Sequence, residues 1–231
     1  MAGAGNVAAA SDGGIDWSSP TPAEPETMKR ATYQDVLNAP ENKVAEILDD
    51  ELFLSPRPAL RHAGAQAAIH GKLWSRFDDG ERGPGGWLFL PEPELHLGEA
   101  IVVPDLAAWR RERLPSLPDR PWLDLAPDWV CEVVSPSTER TDRSRKLRTY
   151  AAAGVAHAWL VKPTDRTLEV LRLRDGTWTI VAVWEDAAVV RAEPFEAIDL
   201  ELGRLWAEPP APPAAPDQVA TDRTATKPPA V

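Results

Sequence analysis

The chain has 231 residues, 43% of them hydrophobic, and its 36 acidic residues outnumber its 25 basic residues to give a net charge of −11. This length and composition suffice for one buried core and do not require a second domain. The sequence has no apolar run of about 18 residues, and it does not open with a positive segment followed by an apolar stretch. These absences argue against a transmembrane helix and a secretory signal. The single cysteine, Cys131, excludes an intramolecular disulfide and fits a cytoplasmic location.

The two ends of the chain differ in composition from the part between them. Residues 1–26 are rich in Ala, Gly, Ser and Pro, and residues 207–231 contain repeated proline pairs. Neither composition supports a packed core. We therefore predict disordered tails on either side of one folded domain, residues 27–206.

The first predicted elements are a short helix, a pair of strands and a longer helix. They cover residues 33–38, 44–48, 51–54 and 61–77. Glu46 lies in the first strand, where the local pattern alone favours an ordinary exposed glutamate. His62 lies at the start of the longer helix, where a capping or core role is favoured over ligand binding. Both residues are nevertheless candidates for a site.

Two strands are predicted next, over residues 87–90 and 101–110. The second contains Pro104-Asp105. An aspartate after a proline is often only a turn residue, which is the alternative to a metal-binding role for Asp105. Glu92 and Glu94 precede this strand and fit either a solvated strand face or the edge of a site.

The strand predicted over residues 128–134 contains the residue that is hardest to explain by structure alone. Alternation places Trp129, Cys131 and Val133 on one face and Val130, Glu132 and Val134 on the other. A carboxylate between two valines, in a strand that is apolar on both faces, is costly unless a positive charge neutralises it. We therefore expect a metal ion or an ion pair beside Glu132.

A helix is predicted over residues 138–153, ending at Gly154. Ser135 and Ser137 precede it, and they either cap the helix or contact a phosphate through its N-terminal N–H groups. Capping is the simpler account, although the two roles are compatible.

The same helix brings charged residues back towards Glu132. Asp142, Lys146 and Tyr150 share one helix face, and the next strand is predicted over residues 157–161. A strand, a helix and a strand with a right-handed crossover place Lys146 near the Glu132 carboxylate. The alternative is an ordinary helical ion pair between Asp142 and Lys146.

The last predicted element is a hairpin whose strands cover residues 168–173 and 178–184. Together the elements predict the fold class α/β, with a central mixed β-sheet flanked by helices.

Asp105, Glu132 and Lys146 are the residue types that phosphodiester hydrolysis requires. Carboxylate oxygens bind Mg²⁺ or Mn²⁺, and such an ion polarises a phosphoryl oxygen and lowers the pKa of an attacking water. A lysine ammonium stabilises the negative charge that develops on the phosphoryl oxygens. We therefore predict a metal-dependent nuclease site, with Asp105 and Glu132 as metal ligands.

A family resemblance is carried by Glu132–Pro136 (E-V-V-S-P), Asp142, Lys146, Tyr150, Gly154-Val155 and Trp159–Pro163. These segments closely resemble the Uma2 endonucleases of the PD-(D/E)XK, restriction-endonuclease-like superfamily, and the resemblance extends over residues 32–206. It implies a restriction-endonuclease-like core and cleavage of nucleic acid.

The resemblance also implies roles for individual residues. Asp105 and Glu132 would bind the metal, and Glu46 would be a third acidic contributor. The short signature of the superfamily places lysine two residues after the glutamate, where this chain has Val134. The resemblance implies that Lys146, on the helix, supplies the lysine instead.

The remaining implied features are binding residues and partners. The candidate binding residues are His62, Ser135, Ser137 and Tyr150. DNA is the expected substrate, and a homodimer is expected only by analogy with restriction enzymes.

The overall charge opposes a nucleic-acid substrate. Nucleic-acid-binding proteins usually have a basic surface, whereas this chain stays acidic even without its tails. Basic residues concentrate at 110–113 and 140–148, which are the expected local exceptions. A bound cation would also offset clustered carboxylates.

Three functions remain open from the sequence. A Mg²⁺-dependent endonuclease would lose metal binding on Glu132→Ala. A binding or assembly protein that keeps the fold without cleaving would bind nucleic acid or protein regardless of that substitution. A metal-free hydrolase would use Glu46 and Glu132 as an acid and base pair, and its activity would survive a chelator.

Overall fold

The computed structural model describes residues 30–79, 83–135 and 139–206, without the side chains of Arg140 and Asp142. The chain divides into two units, Met1–Arg30 and Ala31–Val231, and the elements given below belong to the second. The predicted tails and Ser137 lie outside the described residues. Across the described ranges, no helix is both long and apolar enough to span a bilayer.

Strands predominate over helices in the described ranges. The helices are α1 (Tyr33–Leu37), α2 (Leu60–Leu73), α3 (Glu139–Thr141) and α4 (Leu147–Ala152), with π-helical segments at Trp74–Asp78 and Asp142–Lys146 and a 3₁₀ helix at Leu202–Leu205. The strands are β1 (Lys43–Leu48), β2 (Glu51–Pro56), β3 (Trp87–Pro91), β4 (Glu94–Leu97), β5 (Ala100–Val102), β6 (Leu106–Arg110), β7 (Trp122–Leu123), β8 (Trp129–Val133), β9 (His157–Lys162), β10 (Thr167–Arg174), β11 (Thr177–Glu185), β12 (Val189–Val190) and β13 (Leu200–Glu201).

The strands form two large mixed sheets and one short ladder. The six-stranded sheet has the order β11-β10-β9-β8-β6-β3, the five-stranded sheet has the order β2-β1-β5-β4-β7, and β12 pairs with β13. The predicted mixed α/β class is confirmed. The predicted parallel pairing across the helix is confirmed as well, because β8 and β9 are parallel with Glu132 opposite Leu160.

The single strand predicted over residues 101–110 is wrong. It is two strands, β5 and β6, which belong to different sheets. Pro104 has no N–H to donate to a ladder and therefore separates them. Asp105 consequently lies directly before β6, where the chain passes from one sheet to the other.

The hairpin of β4 and β5 was not predicted. These strands pair antiparallel, with Leu95 opposite Val102, and Gly98 in the turn has a φ of +67°. Both strands are short, so the sequence offers little periodicity from which to identify them.

The core lies on both faces of β8, as the alternation in the sequence predicts. Trp129, Cys131 and Val133 pack into one hydrophobic cluster with α2, whereas Val130 and Val134 pack into a second cluster with α4. Glu132 shares the face of the second cluster. The strand therefore carries a carboxylate into the hydrophobic interior next to α4.

Candidate active site

A cleft of about 190 Å³ is lined by residues from both large sheets. The predicted site residues that line it are Glu46, His62, Asp105, Glu132, Ser135 and Lys146. They come from β1, α2, the segment between β5 and β6, the end of β8, and the helical segment that follows. The fold thus gathers into one cleft candidates that are widely separated in the sequence.

Glu132 is buried, with 3% of its surface exposed, and two groups from the following helix bind its carboxylate. The Tyr150 hydroxyl donates a hydrogen bond to Oε1 over 2.5 Å, and Lys146 Nζ donates to Oε2 over 3.0 Å. The positive charge that the sequence predicts beside Glu132 is therefore supplied by the Lys146 ammonium.

The Lys146 ammonium lies between two carboxylates. Its Nζ is 2.9 Å from Glu132 Oε1 and 3.2 Å from Glu46 Oε1, and it also donates to the Val103 carbonyl over 3.2 Å. Lys146 is itself buried. The predicted position of Lys146 near Glu132 is confirmed.

Glu46 is buried as well, so the exposed role that the local strand pattern favoured for it is wrong. Only 4% of the residue is exposed, and Oε1 accepts a hydrogen bond from the Val103 N–H over 2.8 Å. The strand β1 pairs with both β2 and β5, and the pairing with β5 brings Glu46 next to Val103. This pairing is non-local, so the pattern around Glu46 could not reveal it.

The helix that carries Lys146 has a second contact with the sheet. Arg143 forms an ion pair with Glu169 on β10. The registers place Glu132 and Glu169 on either side of Leu160, so the two carboxylates are two strands apart on one face. Both ion pairs originate from the π-helical segment, and together they fix this segment across three strands.

Asp105 is held by different partners. Its Oδ1 is 2.6 Å from His62 Nε2, and its Oδ2 accepts a hydrogen bond from the Val133 N–H over 2.7 Å. Gln66, one turn after His62 on α2, donates to the Asp105 carbonyl over 2.8 Å. A turn residue alone would not need these contacts, so the turn alternative does not explain Asp105. His62 contacts the Asp105 carboxylate and does not cap the helix.

Gln66 and the Val133 backbone were not predicted as site residues. The sequence did show His62 and Gln66 one helical turn apart, which was the available signal for a shared role. The backbone contact has no sequence signal, because it depends on the pairing of β6 with β8.

Tyr150 supports Glu132 rather than binding substrate directly. The residue is fully buried and, unlike Glu132 and Lys146, it does not line the cleft in which the predicted binding role would place it. Burial, and after it the negative charge of Glu132, raises the pKa of the Tyr150 hydroxyl well above its usual value. The phenol therefore stays protonated and remains a hydrogen-bond donor to the carboxylate.

Two of the carboxylates in the cleft are candidates for binding a divalent cation. Among the residues that the structure describes, no three His, Cys, Asp or Glu side chains are grouped so that together they could hold a metal ion. Mg²⁺ commonly uses only one or two carboxylates and keeps several waters. Asp105 and Glu132 are the cleft carboxylates that would hold an ion in that mode, and each carboxylate offers about four acceptor positions.

The arrangement is unfavourable for a metal-free acid and base pair. Lys146 Nζ lies between Glu46 and Glu132 and contacts both. A glycosidase-type pair instead needs its two carboxyl groups on opposite sides of a substrate bond. The ammonium occupies the place where that bond would have to lie.

These features define a mixed-sheet α/β protein with an acidic cleft and a buried lysine. The family model described as "Putative restriction endonuclease", Uma2, matches residues 30–213, and the chain belongs to this family. The family assignment made from the sequence is therefore confirmed.

One solved structure shows the same fold. It is described as that of "a putative nuclease belonging to DUF820" from Anabaena variabilis, and it has a TM-score of 0.63 at 21% sequence identity. The similarity covers 76% of this chain and 97% of that chain. No curated protein matches the chain.

Proposed function

We propose that the protein is a divalent-metal-dependent endonuclease that hydrolyses phosphodiester bonds in DNA. The observation that carries the proposal is the buried Lys146 ammonium, which contacts both Glu46 and Glu132 in the cleft that Asp105 also lines. The family to which the chain belongs supports the reaction class. Two carboxylates next to a lysine match the charges that phosphoryl transfer requires.

Asp105 and Glu132 would hold Mg²⁺ or Mn²⁺. The ion, when bound, supplies Lewis acidity towards a phosphoryl oxygen and lowers the pKa of water. His62 and the Val133 N–H fix the orientation of Asp105, and Lys146 and Tyr150 do the same for Glu132. This second layer of contacts keeps the carboxylates in place before substrate binds.

Lys146 has a further electrostatic role in this proposal. Negative charge develops on the phosphoryl oxygens in the transition state, and a buried ammonium stabilises it more strongly than an exposed one. Glu46 holds the ammonium in place through its own bond to the Val103 N–H. Glu46 is thus a positioning residue for Lys146.

A non-cleaving nucleic-acid-binding protein is the second candidate. In its favour, protein groups already contact both carboxylate oxygens of Asp105 and both of Glu132. A metal ion has to share these oxygens. The net charge of −11 also favours weak rather than tight substrate binding.

The proposal is tested by incubating the purified protein with supercoiled plasmid and short single strands in Mg²⁺, Mn²⁺ or chelator. We expect cutting only with metal, reduced on the order of 100-fold in Asp105→Asn and Glu132→Gln. Asp165→Asn serves as the matched control, because its side chain is 59% exposed and lies outside the cleft. It should cut like the wild type.

Equal cutting by all of these proteins would point to a contaminating nuclease and contradict the proposal. Plasmid binding without cutting, equally strong in the Glu132→Gln variant, would establish the second candidate instead.

A further inference from the structure

Most of the basic residues at 110–113 and 140–148 form ion pairs with carboxylates. In the described part of the chain the pairs are Arg111 with Asp78, Arg113 with Asp128, Arg143 with Glu139 and Glu169, Arg145 with Glu51, and Arg148 with Asp49. Arg110 instead packs its guanidinium over the Trp87 ring. Among the described side chains of these two segments, the arginines other than Arg110 therefore have their charge compensated by a carboxylate.

Two arginines beside the cleft are different. Arg57 and Arg61 are exposed, and among the described residues neither forms an ion pair with a carboxylate. Arg57 lines the cleft together with Asp105, and its guanidinium donates to the neutral Glu41 carbonyl over 3.0 Å. Its positive charge is therefore not neutralised by that contact.

Arg61 lies on α2, next in sequence to a residue that lines the cleft. It lies in the first turn of the helix, between Ala59 and His62 in sequence, and both of these neighbours line the cleft. Arg57 and Arg61 thus flank the short segment that leads from β2 into the wall of the site.

A second groove of about 380 Å³ continues from the cleft past Arg57. The two share Val44, Arg57, Glu92 and Val103, and the groove adds Lys43, which also has no ion pair in the described ranges. The groove contains carboxylates too, notably Glu41 and Glu92. Of the basic residues without an ion pair here, Arg57 is the one that lines both the cleft and the groove.

We propose that Arg57 and Arg61 bind backbone phosphates of the nucleic-acid substrate and hold the strand over Asp105 and Glu132. This inference rests on the proposed nuclease function. A guanidinium binds phosphate oxygens through paired N–H donors, and such contacts position a nucleic acid without reading its sequence. In a chain with a net charge of −11, positive charge beside the site would favour the approach of a polyanion to it.

The test measures binding of the full chain to a fluorescein-labelled DNA duplex by fluorescence anisotropy, in chelator so that no cleavage occurs. Two double variants are compared, Arg57→Gln/Arg61→Gln and the control Arg145→Gln/Arg148→Gln. Each removes two positive charges, but the control arginines pair with Glu51 and Asp49. The comparison therefore separates local contacts from net charge.

We expect the Arg57→Gln/Arg61→Gln variant to bind about tenfold more weakly. The slope of log affinity against log salt should fall by about 1.8, which is about 0.9 for each lost phosphate contact. The control pair should change neither quantity. Arg57→Lys/Arg61→Lys should keep the wild-type slope because it keeps both charges, and it should bind less tightly than the wild type because it loses the paired donors. Unaltered melting temperatures would show that all of the variants are folded.

Equal losses in the two glutamine variants would overturn the inference, because net charge alone would then explain them. Unchanged binding in the Arg57→Gln/Arg61→Gln variant, or no binding by the wild type at low salt, would overturn it as well. Plasmid cutting by the wild type against Asp105→Asn is scored separately. The phosphate contacts can thus fail while the nuclease function stands.

Discussion

Lys146 is the residue on which the geometry of the site depends. Glu46, Glu132 and Lys146 are each almost fully buried, and removing such groups from water costs several kcal/mol per charge. Mutual contacts offset that cost, but two carboxylates and one ammonium leave one negative charge in excess. Asp105 lines the same cleft and increases the excess. A divalent cation would complete the charge balance, which is a physical reason to expect metal binding there.

Lys146→Met tests this charge balance through stability. Methionine keeps much of the side-chain volume but leaves Glu46 and Glu132 buried without a counter-charge. We expect the free energy of unfolding to fall by about 3–5 kcal/mol, measured by urea denaturation. The control is Arg148→Met, because Arg148 is exposed and its pair with Asp49 should contribute less than about 1 kcal/mol. Equal stability of Lys146→Met and the wild type would show that the buried carboxylates do not depend on the ammonium.

The helical stretch over residues 139–152 determines which groups reach the sheet. Its π-helical segment supplies Arg143 to Glu169 and Lys146 to Glu132, and α4 then supplies Tyr150 to the same Glu132. The stretch ends where Gly154 adopts a φ of +78°, a backbone conformation that is unfavourable for residues other than glycine. The chain can then turn into β9, which is parallel to β8. This helix end is therefore required for the crossover that brings Lys146 to the cleft.

Substituting alanine at two glycines separates backbone strain from packing. A Cβ at Gly154 or at Gly71 would meet no atom within 4 Å, so neither substitution causes a clash. Gly154→Ala should destabilise by about 1 kcal/mol because of its positive φ, whereas Gly71→Ala, inside α2, should stabilise by up to about 1 kcal/mol. Urea denaturation of both variants checks the opposite signs. Destabilisation by both would mean that packing changes, and not helix geometry, determine the result.

Two partly buried histidines make the stability of the folded molecule depend on pH. Burial lowers the pKa of His70 below its usual 6.5, although Asp78 opposes the shift. Burial likewise lowers the pKa of His157, where Glu193 opposes and Arg172 reinforces the shift. In both cases the unfolded chain takes up protons first as the pH falls. The stability present above pH 6.5 is therefore lost as the pH falls through the folded-state pKa values.

We expect the melting temperature to fall as the pH is lowered from 7 to 5, and to fall less in a His70→Gln variant. The carboxylates with lowered pKa start from lower usual values, 4.5 for Glu139 and Glu201 and 3.8 for Asp124, and therefore affect stability only at lower pH. Differential scanning calorimetry at several pH values measures the effect. A wild-type melting temperature that is constant from pH 7 to pH 5 would contradict it.

Parts of the site could be predicted because the relevant signals are local. Glu132 stood out because two valines flank it in a strand that is apolar on both faces, and the helix that follows was identified from its own boundaries. The contacts of Glu46, His62 and Gln66 were not predicted. They depend on β1 pairing with β5 and on α2 packing beside Asp105, and such pairings leave no periodic trace in the sequence.

The amino-acid sequence by itself established the mixed α/β class, the strand-helix-strand unit and the need for a positive charge beside Glu132. These follow from side-chain alternation, helix boundaries and the cost of burying a carboxylate, all of which act within a short segment. The tertiary structure established that Pro104 separates two sheets, that Glu46 and Glu132 both contact the Lys146 ammonium, and which of the described arginines have no ion-pair partner. Each of these depends on partners far away in the chain, because an ion pair forms only where folding brings its two groups within contact distance.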